Sequence, residues 1–257
     1  MTENTQSYPE SLAVLRERRS IRTFADQPLK DGDLEQILLA TRQAPTSINA
    51  HGVSLVVVQD KERKRAIAKL TGDQQHIDDA AAIVVFVGDL YRTGLAGEKH
   101  GIPQRIHESA EGMLVAAVDA GIAMTTFQTA AHSLGYGTTA IGGIRRNPEE
   151  IIKLLDLPEH TFPIVGSTIG VPAADHGTPV KPRVPLSGYA MMETYDREAV
   201  RDAMDTYDEQ LKAHYDARKD QGLTWSEMTS KFYSFIYYPK VARTLTQQGF
   251  VFGDGQE

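Results

Sequence analysis

At 257 residues the chain is long enough to bury a substantial core, and its 41% hydrophobic and 24% charged fractions are ordinary for a globular protein. The absence of cysteine excludes a disulfide framework, a cysteine nucleophile, a thiolate zinc site and a cysteine-ligated iron–sulfur cluster. Its 27 basic and 34 acidic residues leave a formal net charge of −7, which argues against nucleic-acid binding. The polar start and a longest apolar run, 80–87, too short to cross a membrane give the expectation of a soluble cytoplasmic protein.

The first helix is predicted over 9–17 and the second over 31–44, where Leu34, Ile37, Leu38 and Thr41 recur at helical spacing before Pro45. Between them, 18–28 shows no helical apolar period and reads as an extended linker. The β-branched run 53–59 predicts a buried strand, 61–70 a short charged helix, and 81–88 a second strand. A long helix follows over 104–134, closed by Gly135 and Gly137. Its middle is rich in small residues (Ala116, Ala117, Ala120, Gly121, Ala123), which fits either a central core helix or packing against a second copy. Residues 138–144 form a short strand or a loop entering the Gly142-Gly143 turn. Pro148, with Glu149 and Glu150, starts a helix reaching Leu155, and 162–171 is a third strand. Beyond the loop 174–185 the chain is helical. Val200, Met204, Tyr207, Leu211 and Tyr215 trace one stripe; Thr224 and Glu227 form a capping box for a helix that Pro239 interrupts. Strands alternating with helices, without a strong linker, predict a single α/β or α+β domain.

Most chemical signatures fail. Gly135-Tyr136-Gly137-Thr138-Thr139-Ala140 has the GxGxxG/A spacing of a dinucleotide loop, but it follows a helix instead of joining a strand to one, so helix termination is the better reading. No Walker A sequence, GxSxG elbow or histidine pair at metal-binding spacing is present, so neither a hydrolase nucleophile nor a metal site is expected. What remains is an uneven placement of cations. Arg16, Arg18, Arg19 and Arg22 crowd one short segment of an acidic protein. If that segment is extended, Arg18, Ser20 and Arg22 share a face over roughly 13 Å, a row suited to an elongated anion. A solvated basic turn is the plainer alternative. Lys181-Pro182-Arg183 adds a cationic pair on a proline-stiffened loop, and Pro45-Thr46-Ser47-Ile48-Asn49 places hydroxyl and amide groups before a strand.

Together these segments carry a resemblance. Arg18-Arg19-Ser20-Ile21-Arg22-Thr23-Phe24 resembles the RRSxRxF opening of FMN-dependent nitroreductases. Leu70-Thr71-Gly72-Asp73-Gln74, Ala140-Ile141-Gly142-Gly143-Ile144-Arg145 and Val180-Lys181-Pro182-Arg183-Val184-Pro185 follow in the family's order, with Tyr207-Asp208 and Thr224-Trp225-Ser226 near the end. The combination is similar to the oxygen-insensitive NAD(P)H nitroreductase and flavin reductase subgroup. It implies an α+β fold, a central mixed sheet flanked by helices, built as an intertwined homodimer with two FMN at the interface. The chain would be one domain, with a helical C-terminal extension from about 186 to 257 contributing to the dimer and the pyridine-nucleotide site.

The resemblance also implies roles. Arg18, Arg19, Ser20 and Arg22 would line one FMN, with Arg18, Ser20 and Arg183 at the phosphate and Arg22 at the N1/O2 edge of the ring. Thr46, Ser47 and Gln74 would hold the ribityl chain or ring edge; Ile141, Gly142 and Gly143 would lie beside the ring, and Lys181 near the flavin. Hydride would pass from NADPH or NADH to FMN and on to a nitroaromatic, a quinone or free flavin. Glu111 matches an acidic position near the nucleotide, with an exposed helix carboxylate as its plainer reading. Arg218 and Lys219 would meet NAD(P)H, although 218–223 carries only two cations and one opposing carboxylate, which weakens the case for NADPH preference. Arg18 stands where relatives often have histidine, and Ala140 where tyrosine is frequent. A non-catalytic FMN-binding or flavin-carrier protein is the alternative from a different class.

Overall fold

The computed structural model describes residues 9–253; most of the polar start lies outside them. The described chain divides into two compact units, one reaching Thr178 and resuming at Tyr238, the other Pro179–Tyr237. The first unit runs α1 (Glu10–Glu17), α2 (Asp33–Thr41), β1 (Val53–Val58), α3 (Lys61–Leu70), α4 (Gln75–Asp79), β2 (Ala82–Asp89), α5 (Leu90–His100), α6 (Ala110–Ser133), β3 (Gly137–Ile141), α7 (Pro148–Leu154) and β4 (Thr161–Gly170). One-turn 3-10 helices sit at Ser47–Asn49, Ile106–Glu108 and Gly142–Arg145. The second unit contains α8 (Leu186–Tyr189), α9 (Arg197–Arg218) and α10 (Trp225–Tyr233); α11 (Val241–Gln247) belongs to the first.

The four strands form one sheet in the order β1-β2-β4-β3, and every ladder is antiparallel. The mixed sheet expected from the resemblance is corrected to this extent: the parallel component is a single bridge, Ser20 to Thr138. Strand β2 explains the layering. Ala82, Val84 and Phe86 enter one core with Ile37 of α2 and Ala120, Ala123 and Phe127 of α6. Ile83, Val85 and Val87 enter the other, with Ile67 of α3, Ile77 of α4 and Ile151 of α7. A strand covered on both faces needs apolar residues at every position, and all of β2 is buried. Phe86 and Phe127 meet edge to face, with centroids 5.8 Å apart. Pro163 lies at the register shift between β2 and β4, where a bulge tolerates its missing N–H.

The expected helix over 104–134 starts later. Ser109 is extended, and its hydroxyl accepts from Gly112 N–H, so α6 begins at Ala110. It ends at Ser133 with Leu134 as its C-cap, and Gly135 at φ +84° follows, the helix termination expected there. By length and composition α6 would suit a membrane span, yet its Ala116–Phe127 stripe lies on the sheet and core. The helices α4 and α5 were not expected. The second carries its own signals, Asp89 capping Arg92 N–H at 2.9 Å and Gly101 at φ +66° closing it.

Candidate functional site

The basic segment is extended because β3 holds it. Ile21 N–H donates to Thr138 O at 3.0 Å, Thr139 Oγ1 donates to Ile21 O at 2.5 Å, and Ala25 N–H donates to Val171 O at 2.9 Å. Ile21 is buried against Gly137, where an added Cβ would lie 2.7 Å from that of Ile21. Arg18 is the C-cap of α1, and it joins Arg19 and Ile21 on the wall of a cavity of about 220 Å³ that also includes His132, Tyr136 and His176. Ser20 and Arg22 are not on that wall. Arg19 Nη1 donates to Glu17 O, while its Nε is buried without a partner. His132 shares a 2.9 Å hydrogen bond with Thr138 Oγ1; burial first, then Arg18 and Arg19, push its pKa down, so the imidazole is held neutral beside the cations.

Further along the same edge lie the turn 71–74 and the end of β3. Gln74 Nε2 donates to Thr71 O at 2.9 Å. Gly143 packs directly on that turn, because a Cβ there would meet Thr71 O at 2.6 Å and Gln74 Nε2 at 2.8 Å. Its lack of a side chain therefore serves packing within the chain. Ile141 is buried in the core, whereas Ala140 is exposed and Gly142 is partly exposed. His76 adjoins this group. Burial and then the Arg22 charge push its pKa down, against Asp79, and its Nε2 is buried without a partner.

Thr46 and Ser47 lie elsewhere. They precede β1, the strand at the opposite edge of the sheet, which lies three inter-strand spacings or about 14 Å from β3. Ser47 N–H donates to both oxygens of the buried Asp119 of α6 at 3.2 Å, and Thr46 Oγ1 accepts from His51 N–H. Ile48, Asn49 and His51 all have positive φ, and Ile48 is 94% exposed. For a β-branched residue that conformation is strained, the kind of outlier that collects at working sites. Asp119, His76 and His132 were missed from sequence; a lone carboxylate in the small-residue part of α6 was the one available signal.

In the second unit, Arg183 Nη1 donates to Lys181 O at 2.8 Å and Pro182 O at 3.2 Å. Arg218 pairs with Asp220 at 3.0 Å near the end of α9, and Lys219 is exposed. Asp208 caps α10, accepting from Ser226 N–H at 3.0 Å and from the Ser226 hydroxyl. Burial raises its pKa, but the hydrogen bonds from Ser226, Trp225 and Thr224 outweigh that and hold the carboxyl below its usual range. Glu111, in the first unit, is an exposed first-turn residue of α6.

The Nitroreductase family model matches residues 15–171, and the model of the family's C-terminal domain matches 181–252. The chain is 40% identical to the FMN reductase [NAD(P)H] of Bacillus subtilis over 245 residues, 94% of this chain and 98% of that one. The structure of B. megaterium NfrA2 is similar at a TM-score of 0.92 and 38% identity, covering 95% of this chain and 99% of the other. The NADPH:FMN oxidoreductase from Vibrio harveyi, complexed with NAD+, gives a TM-score of 0.84 at 28% identity, covering 94% and 98%. With matches spanning both stretches and relatives aligned over nearly their full length, this chain belongs to the nitroreductase family.

Proposed function

We propose that the protein is an FMN-dependent oxidoreductase that takes hydride from NADPH or NADH and delivers it to a small aromatic acceptor, a nitroaromatic, quinone or free flavin, in a ping-pong sequence. The observation that carries this reading is the gathering of Arg22, the turn 71–74 and Gly142-Gly143 at one sheet edge that also holds Arg18 and Arg19. The residues fit FMN. Arg19 Nε and His76 Nε2 are buried polar atoms without partners, and such atoms call for a bound group to satisfy them. Arg18, Ser20 and Arg183 would hold the phosphate, Arg19 would line the flavin beside them, and Lys181 would add a further cation. Thr46, Ser47 and Gln74 would hold the ribityl chain or ring edge, with Ile141, Gly142 and Gly143 beside the ring. When bound, the flavin supplies the two-electron chemistry. Arg22 at the N1/O2 edge would stabilise the negative charge that reduction places there.

Arg22 and Thr46-Ser47 lie beside opposite edge strands of one sheet, and a second copy would let one chain supply Arg22 and the other Thr46-Ser47 to a single flavin. The outer side of α6 supplies a surface for it. With α1 it walls an open apolar groove of about 1150 Å³ that includes Val14, Leu15, Val118, Ile122 and Met124. We infer a homodimer in which the helical C-terminal part contributes to the interface and to the nucleotide site. Arg218 is already paired with Asp220, which favours use of either nucleotide over strict NADPH selection.

Anaerobic mixing of the FMN-loaded protein with NADPH, and separately with NADH, is expected to bleach the flavin absorbance, with light scattering reporting a dimer. Steady-state rates against nucleotide and nitrofuran should give parallel double-reciprocal lines. An FMN-loaded dimer that keeps its colour with both nucleotides would sink the enzyme reading, and intersecting lines the ping-pong sequence.

A further inference from the structure

Within the second unit, α9 grips the cationic loop at two points. Tyr207, Leu211 and Tyr215 fall four residues apart and so share one stripe of the helix. Leu211 is buried, and the two tyrosines on either side reach the loop. Tyr207 OH donates to Pro182 O at 3.2 Å, and Lys181 Nζ donates to Tyr215 OH at 3.2 Å. Nζ lies 5.5 Å from the Tyr215 ring centroid, so the ammonium approaches the hydroxyl end of the ring more closely than its face. Arg183 braces the loop from within by donating to the carbonyls of Lys181 and Pro182.

The other side of Tyr215 holds a different segment. A Cβ on Gly222 would lie 2.4 Å from Tyr215 Cε2, so the backbone of the loop 218–223 rests directly on the ring. Asp220 N–H donates to Tyr215 O at 3.0 Å, and Lys219 at φ +56° turns the chain out of α9. One side chain thus touches both the segment with the Lys181–Arg183 cations and the segment with Arg218 and Lys219.

We propose that Tyr215 is a positioning residue that sets Lys181 for the cofactor anion and seats the 218–223 loop for the nucleotide, coupling the two. This rests on the reading that Lys181 serves FMN and that Arg218 and Lys219 serve NAD(P)H. Tyr215→Phe removes the hydroxyl but keeps the ring. Gly222→Ala displaces the ring from the loop side without replacing any residue proposed to contact a ligand.

The test is a titration of flavin-free protein with FMN, followed by flavin fluorescence, together with nucleotide KM and kcat for the FMN-loaded enzyme. A hydrogen bond of this kind accounts for about a twofold to tenfold change in affinity. Tyr215→Phe is expected to weaken FMN binding by that factor and to leave the nucleotide KM within twofold. Gly222→Ala is expected to raise the nucleotide KM and weaken FMN binding together, with kcat little changed. Combined with Lys181→Met, Tyr215→Phe should add no further loss, because the shared hydrogen bond is already gone. Additive losses in the double variant, or a Gly222→Ala effect confined to KM, would overturn the coupling. If Lys181→Met alone leaves FMN affinity unchanged, the assignment of Lys181 to the cofactor fails and the proposal falls with it. Unchanged far-ultraviolet dichroism and urea midpoints separate these outcomes from misfolding.

Discussion

Arg22 shows how one exposed guanidinium can be read through its neighbour. It lies within the extended segment that β3 holds, and its positive charge is among the causes that keep the His76 imidazole from taking a proton, second only to burial. Replacing Arg22 by alanine removes that repulsion and leaves Asp79, which acts in the opposite sense. The His76 pKa is therefore expected to rise in Arg22→Ala, without reaching a surface value because burial persists. A proton NMR titration of the flavin-free protein measures this directly, and an unmoved His76 resonance would place Arg22 away from the 71–76 turn. The same variant should bind FMN more weakly and be reduced more slowly, because the cation at the proposed ring edge is gone. Arg22 was legible as a candidate because motif and charge coincide there, and Ser20 because it is the hydroxyl of the same motif. His76 was not, since nothing in a one-dimensional pattern marks a histidine whose ring nitrogen will be buried without a partner.

Among the elements, those with strong local signals were readable. The run 61–70 is helix α3 as expected, and Thr224 and Glu227 form the capping box at α10. The helix α5 escaped notice because Gly94 and Gly97 interrupt its helical pattern, although its Asp and Gly ends are ordinary boundary signals. Strand direction was not legible: β2 has the continuous apolar run of a parallel strand, but helices on both faces produce the same demand in an antiparallel one. Nor could periodicity show that the candidate residues divide between opposite sheet edges. The N-terminus of α10 offers a graded test. Thr224 caps it from within, while Asp208 of α9 receives Ser226 through both N–H and hydroxyl. Thr224→Ala is expected to cost about 1 kcal/mol. Asp208→Ala should cost more, about 1.5–3 kcal/mol, since it removes hydrogen bonds to a charged acceptor. Trp225, the single tryptophan and the first residue of α10, reports the transition in urea by its fluorescence. Equal midpoints for the two variants would show that Asp208 contributes nothing beyond the capping box.

At the scale of the whole molecule, the histidines of the first unit make stability depend on pH in one direction. His76, His107 and His132 each have their pKa pushed down, in every case with burial as the largest cause. His107 is further opposed by His160, whose ring centroid lies 4.2 Å away, and partly relieved by Glu108 and Glu159; its Nδ1 is buried without a partner. Around this pair the chain closes on itself: His160 N–H donates to Gln248 O, and Val251 N–H donates to His107 O. In the unfolded chain these imidazoles take up protons near pH 6.5, whereas in the folded chain they resist until the pH is lower. Below about pH 6.5 the unfolded state therefore binds more protons, and stability falls as the pH drops, levelling only once the folded-state values are passed. The urea midpoint is expected to decline between pH 7.5 and 5.5. His107→Gln keeps a polar side chain but removes the titration, so its decline should be shallower than that of the wild-type chain. Hydrogen exchange should show 248–253 opening first on acidification, because its backbone is bonded to both members of the pair. A midpoint that is flat across this range, or a His107→Gln slope equal to the wild-type slope, would show that His107 does not govern the acid limb.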